Sequence, residues 1–261
     1  MNTSNNIIVS KSMEGLLKIT FNRPERLNAL DENMFASIKS ILQESSEDPT
    51  VKVIAFTGIG SYFSSGYDMK NFFKAPESSS EVSPEDDMAT LMQRGKNSIK
   101  EFVAAFIDCP KILVAIVNGP AIGIGVTILA HFDLVFASKS ATFSCPFTQL
   151  GLTMEGCSSL LFPLLMGFSK AAQMLIFGKK IDAIEAYSSN LVTKVVDEDA
   201  LESCWEEIDE ICKPNHYLKT EMRNALHEAN DEECEVLFNQ WTSEEFIERQ
   251  MKFLLGKKSK L

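Results

Sequence analysis

Residues 112–125 read Ile-Leu-Val-Ala-Ile-Val-Asn-Gly-Pro-Ala-Ile-Gly-Ile-Gly, an apolar run that leads directly into a glycine-rich turn. The six apolar residues predict a strand buried on both faces, which is typical of a parallel sheet covered by helices. The glycines after it allow a tight turn and a close approach of the backbone to another group. This stretch therefore predicts an α/β fold in which a glycine turn follows a buried strand.

Segments on either side of this stretch extend the same pattern of strands and helices. Strands are predicted at 16–21, 51–57 and 132–137, and helices at 30–42, with Asp31 as N-cap, and at 91–106. The alternation indicates βαβ units as far as Val196. Beyond it, helices are predicted at 201–211, 218–227, 234–241 and 244–255. We expect a core at 1–196 and a C-terminal helical region at 197–261 that completes the same domain.

Composition excludes several classes of function. Hydrophobic residues make up 45% and charged residues 23% of the 261 residues, as in ordinary globular proteins. A net charge of −11 argues against nucleic-acid binding, which needs a basic face. The six cysteines have no C-x-x-C spacing, so free thiols are expected, and the three histidines suggest no metal site. Neither a signal peptide nor a membrane span is expected, because no apolar run is long enough.

Two further segments bear on location and access. The sequence ends in Ser259-Lys260-Leu261, which an import receptor reads as a peroxisomal address. We therefore expect the peroxisome matrix as location and the import receptor as a partner. Residues 75–87 are rich in serine, proline and acids, which favours a solvated surface loop over a gate.

A second glycine turn and a carboxylate complete a candidate site. The turn is Phe63-Ser64-Ser65-Gly66-Tyr67-Asp68, and the carboxylate is Glu155, with apolar Leu152 and Met154 nearby. Two turns that each aim one backbone N–H at the same point can hold an oxyanion. A carboxylate facing them can move a proton beside that carbonyl, and burial would raise its pKa toward the working pH. Together they suggest enolate chemistry on a thioester.

Four motifs in this order resemble those of the crotonase (enoyl-CoA hydratase/isomerase) superfamily, over about residues 16–196. They are Asn22-Arg23-Pro24-Glu25 with Asn28-Ala29-Leu30, Phe63 to Asp68, Asn118 to Gly125, and Phe132-Asp133 leading to Ala137. The resemblance implies a ββα spiral core. Three other stretches look like the peroxisomal Δ3,Δ2-enoyl-CoA isomerase branch, which typically ends in Ser-Lys-Leu: Pro146-Phe147, Glu155 to Ser159, and Glu233 to Leu237 with Trp241.

The resemblance assigns roles within the candidate site. The oxyanion donors would be the backbone N–H groups of Tyr67 and Ile124, the second at a helix N-terminus that favours negative charge. Hydratases of the superfamily use two glutamates, but Thr127 and Phe147 occupy those positions here, so efficient hydration is not expected. Glu155 falls where the isomerase branch has its single catalytic glutamate. The implied activity moves the double bond of 3-enoyl-CoA to trans-2-enoyl-CoA in fatty acid β-oxidation, with no cofactor besides the CoA of the substrate.

The resemblance also implies an acyl-CoA site along the first turn. Candidates for binding the CoA are Ser65, Gly66, Asp68, Met69, Gly123, Arg23, Arg26 and Lys70. Candidates for an apolar wall around the acyl chain are Phe72, Phe73, Phe147, Leu150 and Leu152. An equally good interpretation is that Arg23, Arg26 and Lys70 are solvated surface charges. We expect His131 to be a core histidine and Asp133 to be structural.

Other functions remain open at this point. The superfamily also includes thioester hydrolases and dienoyl isomerases, which would need further acids near the acyl pocket. A non-catalytic acyl-CoA-binding or scaffold protein is the alternative from another class, since chromodomain-linked relatives use this fold for protein interactions. The resemblance further implies a homotrimer or a pair of trimers.

Overall fold

A six-stranded sheet forms the centre of the computed structural model, which describes residues 6–69, 88–212 and 223–250 apart from 245 and 247. Its strand order is β1-β2-β3-β4-β6-β9; β1 pairs antiparallel with β2, and the other neighbours are parallel. The strands are β1 (Ile7–Lys11), β2 (Leu16–Phe21), β3 (Val53–Gly58), β4 (Ile112–Val117), β6 (Leu134–Ser138) and β9 (Lys194–Val196). The predicted parallel α/β arrangement is confirmed.

A small second sheet lies beside the glycine turns. It contains β5 (Ala121–Ile122), β7 (Thr142–Ser144) and β8 (Ile181–Asp182), with β7 between the other two. An isolated parallel bridge joins Ser64 to Ala121 of β5. The second glycine turn thus lies between the main sheet and this small sheet, where the first turn also reaches it.

Helices cover both faces of the main sheet. The helices are α1 (Glu32–Glu47), α2 (Met88–Asp108), α3 (Ile124–Thr127), α4 (Ser158–Met166), α5 (Phe168–Leu175), α6 (Ala183–Ser188), α7 (Ser203–Cys212) and α8 (Arg223–Trp241). Of these, α1 and α2 share the core on one face of the sheet and α7 covers the other. Asp31 is the N-cap of α1, as predicted, because its Oδ1 accepts a hydrogen bond of 2.9 Å from the amide of Met34. Among the described helices, none combines the length and apolar character that crossing a bilayer requires.

The strand β4 shows why its sequence is apolar throughout. Leu113, Ala115 and Val117 point into the larger core, which includes residues of α1 and α2. The alternate residues Val114 and Ile116 point into a smaller cluster that α7 covers. Both faces are therefore buried, and the prediction for residues 112–117 is confirmed.

The C-terminal helices differ from their prediction in one respect. The sequence predicts two helices at 218–227 and 234–241, whereas α8 is continuous from Arg223 to Trp241; residues 218–222 lie outside the described residues. The polar residues between the two segments hide the continuity, since they lack apolar spacing. They remain helical because α8 packs along α2, where the buried Asn230 donates a hydrogen bond of 3.0 Å to the carbonyl of Lys100. The helix predicted at 244–255 is described only as far as residue 250, with helical residues at 244, 246 and 248–250.

Candidate active site

The two glycine turns lie in direct contact. The amide of Ile122 donates to the carbonyl of Ser64 at 2.9 Å, and the amide of Phe63 donates to the carbonyl of Pro120 at 3.1 Å. Gly66 has a φ of +85°, and a Cβ added there would lie 2.6 Å from the Ile122 carbonyl oxygen. Only glycine permits both this conformation and this approach, so Gly66 is required for the contact between the turns.

The second turn presents the start of α3 to the first. Ile124 is the first residue of α3, where the N–H has no acceptor within the helix. The two amides before it are occupied, since Ile122 donates to Ser64 and Gly123 donates to Ser144 at 2.9 Å. A Cβ on Gly66 would lie 3.7 Å from the Cα of Gly123. The backbone of Tyr67, which follows Gly66, and that of Ile124 therefore belong to adjoining segments.

Glu155 is buried next to this junction, with 5% of its surface exposed. Its Oε1 accepts a hydrogen bond of 2.9 Å from the hydroxyl of Thr127, which is itself fully buried. Thr127 ends α3, and its Cα lies about 4.5 Å along the helix axis from that of Ile124. The second oxygen of Glu155, Oε2, is buried and has no hydrogen-bond partner among the described residues.

The surroundings of Glu155 adjust its acidity. Burial raises its pKa to about 8; the Thr127 hydrogen bond lowers the pKa, and the negative charge of Glu233 raises it. A carboxyl group with a pKa near neutrality can both take up and release a proton at physiological pH. The arrangement is therefore suited to shuttling a proton between two nearby carbon atoms.

The backbone around Glu155 is held from several sides. Gly156 and Cys157 follow it with φ angles of +72° and +60°. The hydroxyl of Ser158 donates to the Glu155 carbonyl at 2.7 Å, and Nε2 of His131 lies 2.9 Å from the Gly156 carbonyl oxygen. Left-handed backbone at a residue other than glycine costs free energy and persists only where neighbouring contacts impose it. His131 is half-buried and not a core histidine as expected, because its ring lies at the edge of the core against this backbone.

Glu233 of α8 is a site residue whose role the sequence did not reveal. Its Oε2 accepts the amide of Cys157 at 2.7 Å, and its Oε1 accepts the amide of Ser159 at 2.7 Å. Glu233 is buried although it belongs to an acidic run, which normally indicates a solvated helix face. The available signal was its four-residue spacing from the apolar Leu237 and Trp241, which places all three on one face.

The side chain of Tyr67 forms a wall beside the first turn. Its ring stacks between Phe35 and Trp241, with ring centroids 5.6 Å and 6.4 Å away. Its hydroxyl donates to Oε1 of Glu32 at 3.2 Å, and burial raises the pKa of the phenol well above its ordinary value. The phenol is therefore neutral at physiological pH, and the predicted catalytic role of Tyr67 falls on its backbone N–H.

Two of the predicted cations for CoA, Arg23 and Arg26, have protein partners. The buried guanidinium of Arg23 lies 3.0 Å from carboxylate oxygens of both Asp31 and Asp68. Arg26 lies 3.2 Å from Asp68 and has a third of its side chain exposed. The interpretation of Arg23 as a solvated surface charge is wrong, because it is enclosed by two acids. Arg26 remains accessible to a ligand from its exposed side.

Other predicted residues have the following positions. Ser65 and Met69 are half-buried on the first turn, Phe147 is buried, and Leu150 and Leu152 are half-buried near Glu155 in the chain. Lys70, Phe72, Phe73 and residues 75–87 lie outside the described residues. Asp133 is structural, as expected, since its carboxylate accepts the amide of Leu113 at 2.7 Å. All six cysteines are buried free thiols, and no group of His, Cys, Asp or Glu in the described part is arranged to hold a metal ion.

Several known proteins are similar to this chain in sequence. The sequence model of a family described as "Enoyl-CoA hydratase/isomerase" matches residues 11–251. Enoyl-CoA delta isomerase 2 of Rattus norvegicus is 43% identical over 96% of this chain and 64% of its own length. "Enoyl-CoA delta isomerase 3, peroxisomal" of Mus musculus is 42% identical over 99% of this chain and 81% of its own length.

A solved structure extends the similarity to the fold. The crystal structure of an enoyl-CoA hydratase/isomerase from Pseudoalteromonas atlantica T6c superposes with a TM-score of 0.84 at 32% identity, covering 96% of this chain and 97% of that chain. The chain spans slightly less than two thirds, 64%, of the length of the rat and human delta isomerases 2 that it matches.

Proposed function

This chain belongs to the enoyl-CoA hydratase/isomerase (crotonase) family, and we propose that it is a Δ3,Δ2-enoyl-CoA isomerase. The observation that carries the proposal is the buried carboxyl group of Glu155, which lies next to two glycine turns in contact. The names of the rat and mouse relatives support the same activity. The substrate is a 3-enoyl-CoA and the product is the trans-2-enoyl-CoA.

The proposed mechanism needs one base and one oxyanion site. The thioester oxygen of the substrate accepts hydrogen bonds from the N–H groups of Tyr67 and Ile124. Glu155 takes the proton from C2, and the electron pair of that C–H bond forms a dienolate whose charge lies on the thioester oxygen. The carboxylic acid of Glu155 then gives the proton to C4, which leaves the double bond between C2 and C3. One base serves both steps because C2 and C4 lie on the same side of a planar dienolate.

The energetic contribution of the backbone amides is large in this scheme. The C2 proton is weakly acidic, so the dienolate must be stabilised as it forms. Loss of one preorganised donor in such a site typically costs about 3–4 kcal/mol of transition-state stabilisation. Because backbone groups carry this function, the side chains of Tyr67 and Ile124 can differ from those of other family members.

The site is less suited to hydration than to isomerisation. Addition of water needs two acid–base groups, whereas the two positions that carry glutamates in hydratases hold Thr127 and Phe147. Both side chains are buried, and Phe147 is apolar. We therefore expect at most slow hydration of 2-enoyl-CoA.

The test is an isomerase assay with 3-hexenoyl-CoA, with the product measured in a coupled reaction. We expect wild type to turn over and Glu155→Gln to lose activity about 10²–10⁴-fold, because the amide cannot accept the C2 proton. Glu232→Gln is the matched control, since Glu232 is an exposed acid on α8 and should retain wild-type activity.

Two results would contradict the proposal. Equal rates for wild type and Glu155→Gln would mean that the carboxylate has no part in the reaction. A wild-type protein that binds acyl-CoA without turnover would favour the scaffold function instead.

We also propose that the protein assembles as a homotrimer or a pair of trimers. Support comes from six large apolar side chains exposed within residues 164–187, because exposed apolar surface that is contiguous often marks an interface. They are Leu164, Phe168, Ile176, Phe177, Ile184 and Tyr187. In a closed symmetric assembly, a second copy of this chain would cover these apolar side chains.

The proposed location is the peroxisome matrix. Ser259, Lys260 and Leu261 lie outside the described residues, and the support comes from the tripeptide itself and from the name of the mouse relative. A fluorescent protein fused ahead of this chain should enter peroxisomes, and removal of Leu261 should leave it in the cytosol. Import that survives this deletion would exclude the tripeptide as the address.

A further inference from the structure

We propose that Thr127 is a positioning residue whose hydroxyl holds Oε1 of Glu155, so that Oε2 is the oxygen that takes the C2 proton and returns it at C4. This inference rests on the proposed isomerase function for its chemistry. It adds a second residue to the single catalytic carboxylate and assigns different tasks to its two oxygens.

The contacts of the two carboxylate oxygens differ. Oε1 accepts the Thr127 hydroxyl at 2.9 Å, whereas Oε2 is buried and has no hydrogen-bond partner among the described residues. A buried carboxylate oxygen without a partner carries a desolvation cost, so its position calls for an explanation. A substrate proton that arrives at Oε2 supplies the missing partner during the reaction.

Thr127 also connects the base to the oxyanion site. It lies one helical turn after Ile124 on α3, and a Cβ on Gly156 would lie only 2.6 Å from its hydroxyl oxygen. The hydroxyl is therefore in close contact with the loop that carries Glu155. One short helix thus sets the position of an amide for the thioester oxygen and the orientation of the carboxyl group.

The proton balance follows from this orientation. When the C2–H bond breaks, its electron pair enters the dienolate and the proton bonds to Oε2. The Thr127 hydroxyl remains bonded to Oε1 throughout and gives up no proton. When the Oε2–H bond breaks, the proton bonds to C4 and the carboxylate is restored. No other proton donor takes part.

Other titratable groups surround Glu155 and are the same in every variant below. Glu233 on α8 is the neighbouring acid that raises its pKa. The thiols that interact with its charge are Cys145 after β7, Cys157 before α4 and Cys234 on α8. His131 contacts the next peptide. A change in the titration on altering Thr127 alone therefore reports the hydroxyl.

The experiment compares Thr127→Val, which keeps the shape and removes the hydroxyl, with Thr127→Ser, which keeps the hydroxyl. Infrared difference spectra over a pH series record the protonated carboxyl band of Glu155, identified by its loss in Glu155→Gln. A hydrogen bond to a charged group is lost in the valine variant, so we expect its titration to move up by about one to two pH units. The serine variant should titrate as wild type does.

The second measurement is the pH dependence of kcat/KM. The rising limb of kcat/KM against pH should move up with the infrared titration in Thr127→Val, with a loss of about ten- to a hundredfold at pH 7. Thr127→Ser should restore both. Thr127→Cys, with a weaker donor, should lie between the two and provides the same comparison if the valine variant does not fold.

The results separate the two proposals. If Thr127→Val titrates as wild type does in the infrared spectra, Thr127 does not position the carboxyl group and the inference fails. If that titration moves but wild type does not isomerise 3-hexenoyl-CoA, the hydroxyl contact stands and the proposed function fails, and with it the role of Oε2.

Discussion

At the scale of single residues, the site contains a carboxyl group that the fold makes costly to ionise. Glu155 is buried, with one oxygen bonded to Thr127 and the other without a partner among the described residues. The same burial that suits it to proton transfer opposes folding with the group charged. Activity and stability are therefore expected to respond in opposite directions when this charge is removed.

The first prediction concerns stability against pH. The folded pKa of Glu155 is raised from 4.5 to about 8, so between these values the folded state holds a proton that the unfolded state has lost. This contribution to stability is fully present below pH 4.5 and declines as the pH rises toward 8. Glu155→Gln removes the decline and should exceed wild type in free energy of unfolding by about 3–5 kcal/mol at pH 8.

Urea unfolding of both proteins from pH 5 to pH 8.5 measures this difference. The gap should widen with pH up to about 8 and then stay constant. Glu232→Gln, which changes an exposed acid on the same helix, should follow wild type throughout. A gap that does not change with pH would mean that Glu155 ionises normally in the folded protein.

The second prediction concerns Arg23, which holds the first turn through two acids. Arg23→Met leaves Asp68 buried with less compensation and should lower the free energy of unfolding by about 3 kcal/mol or more. Arg26→Met is the matched variant, since a third of the Arg26 side chain is exposed, and it should cost about 1 kcal/mol or less. Equal losses in urea unfolding would contradict the structural role assigned to Arg23.

At the scale of elements, the glycine turns depend on how closely two chain segments approach. The third prediction is that Gly66→Ala reduces kcat/KM by about 10²-fold or more, because its Cβ would force the Ile122 carbonyl away and separate Tyr67 from Ile124. Gly167→Ala is the control: its φ is +76° and no atom lies within 4 Å of the added Cβ. Backbone strain should destabilise both variants by about 1–3 kcal/mol, but only Gly66→Ala should lose activity in the folded state.

Elements differed in how far their sequences predicted them. The run Ile112–Val117 was predictable because both its faces are buried, and α1 because its apolar residues recur at helical spacing after Asp31. The strands β5, β7 and β8 have two or three residues each, too few to show a period. Continuity of α8 escaped prediction because Asn230 and Glu233 are buried polar residues whose partners lie on α2 and before α4.

The sequence predicted the part of the candidate site whose residues belong to local motifs. Glycines and a carboxylate in family motifs pointed to Gly66, Ile124 and Glu155. The contact between Thr127 and Glu155 joins residues 28 positions apart, and no local pattern encodes it. The predicted boundary at Val196 and the assignment of CoA contacts stay predictions.

At the scale of the whole molecule, the fourth prediction concerns the exposed apolar residues and the oligomeric state. Phe168 and Phe177 have 75% and 74% of their surface exposed on the segment proposed to meet a second copy. Changing both to serine should convert the proposed trimer to monomers, because each phenylalanine would bury a large apolar area in its interface. Light scattering on a sizing column measures the mass, and the 98% exposed Met13, changed to serine, is the control. A trimer that survives the double change would place the interface elsewhere.

The contacts of α8 with earlier parts of the chain affect the order in which the site forms during synthesis. Glu233 binds the turn beside Glu155 from 76 residues beyond Cys157, and Trp241 stacks on Tyr67 from still further along the chain. During synthesis the first glycine turn and the loop of Glu155 emerge before the helix that completes their surroundings. The nascent chain therefore carries a solvated Glu155 carboxylate, which acquires its complete surroundings only when α8 has left the ribosome and has docked.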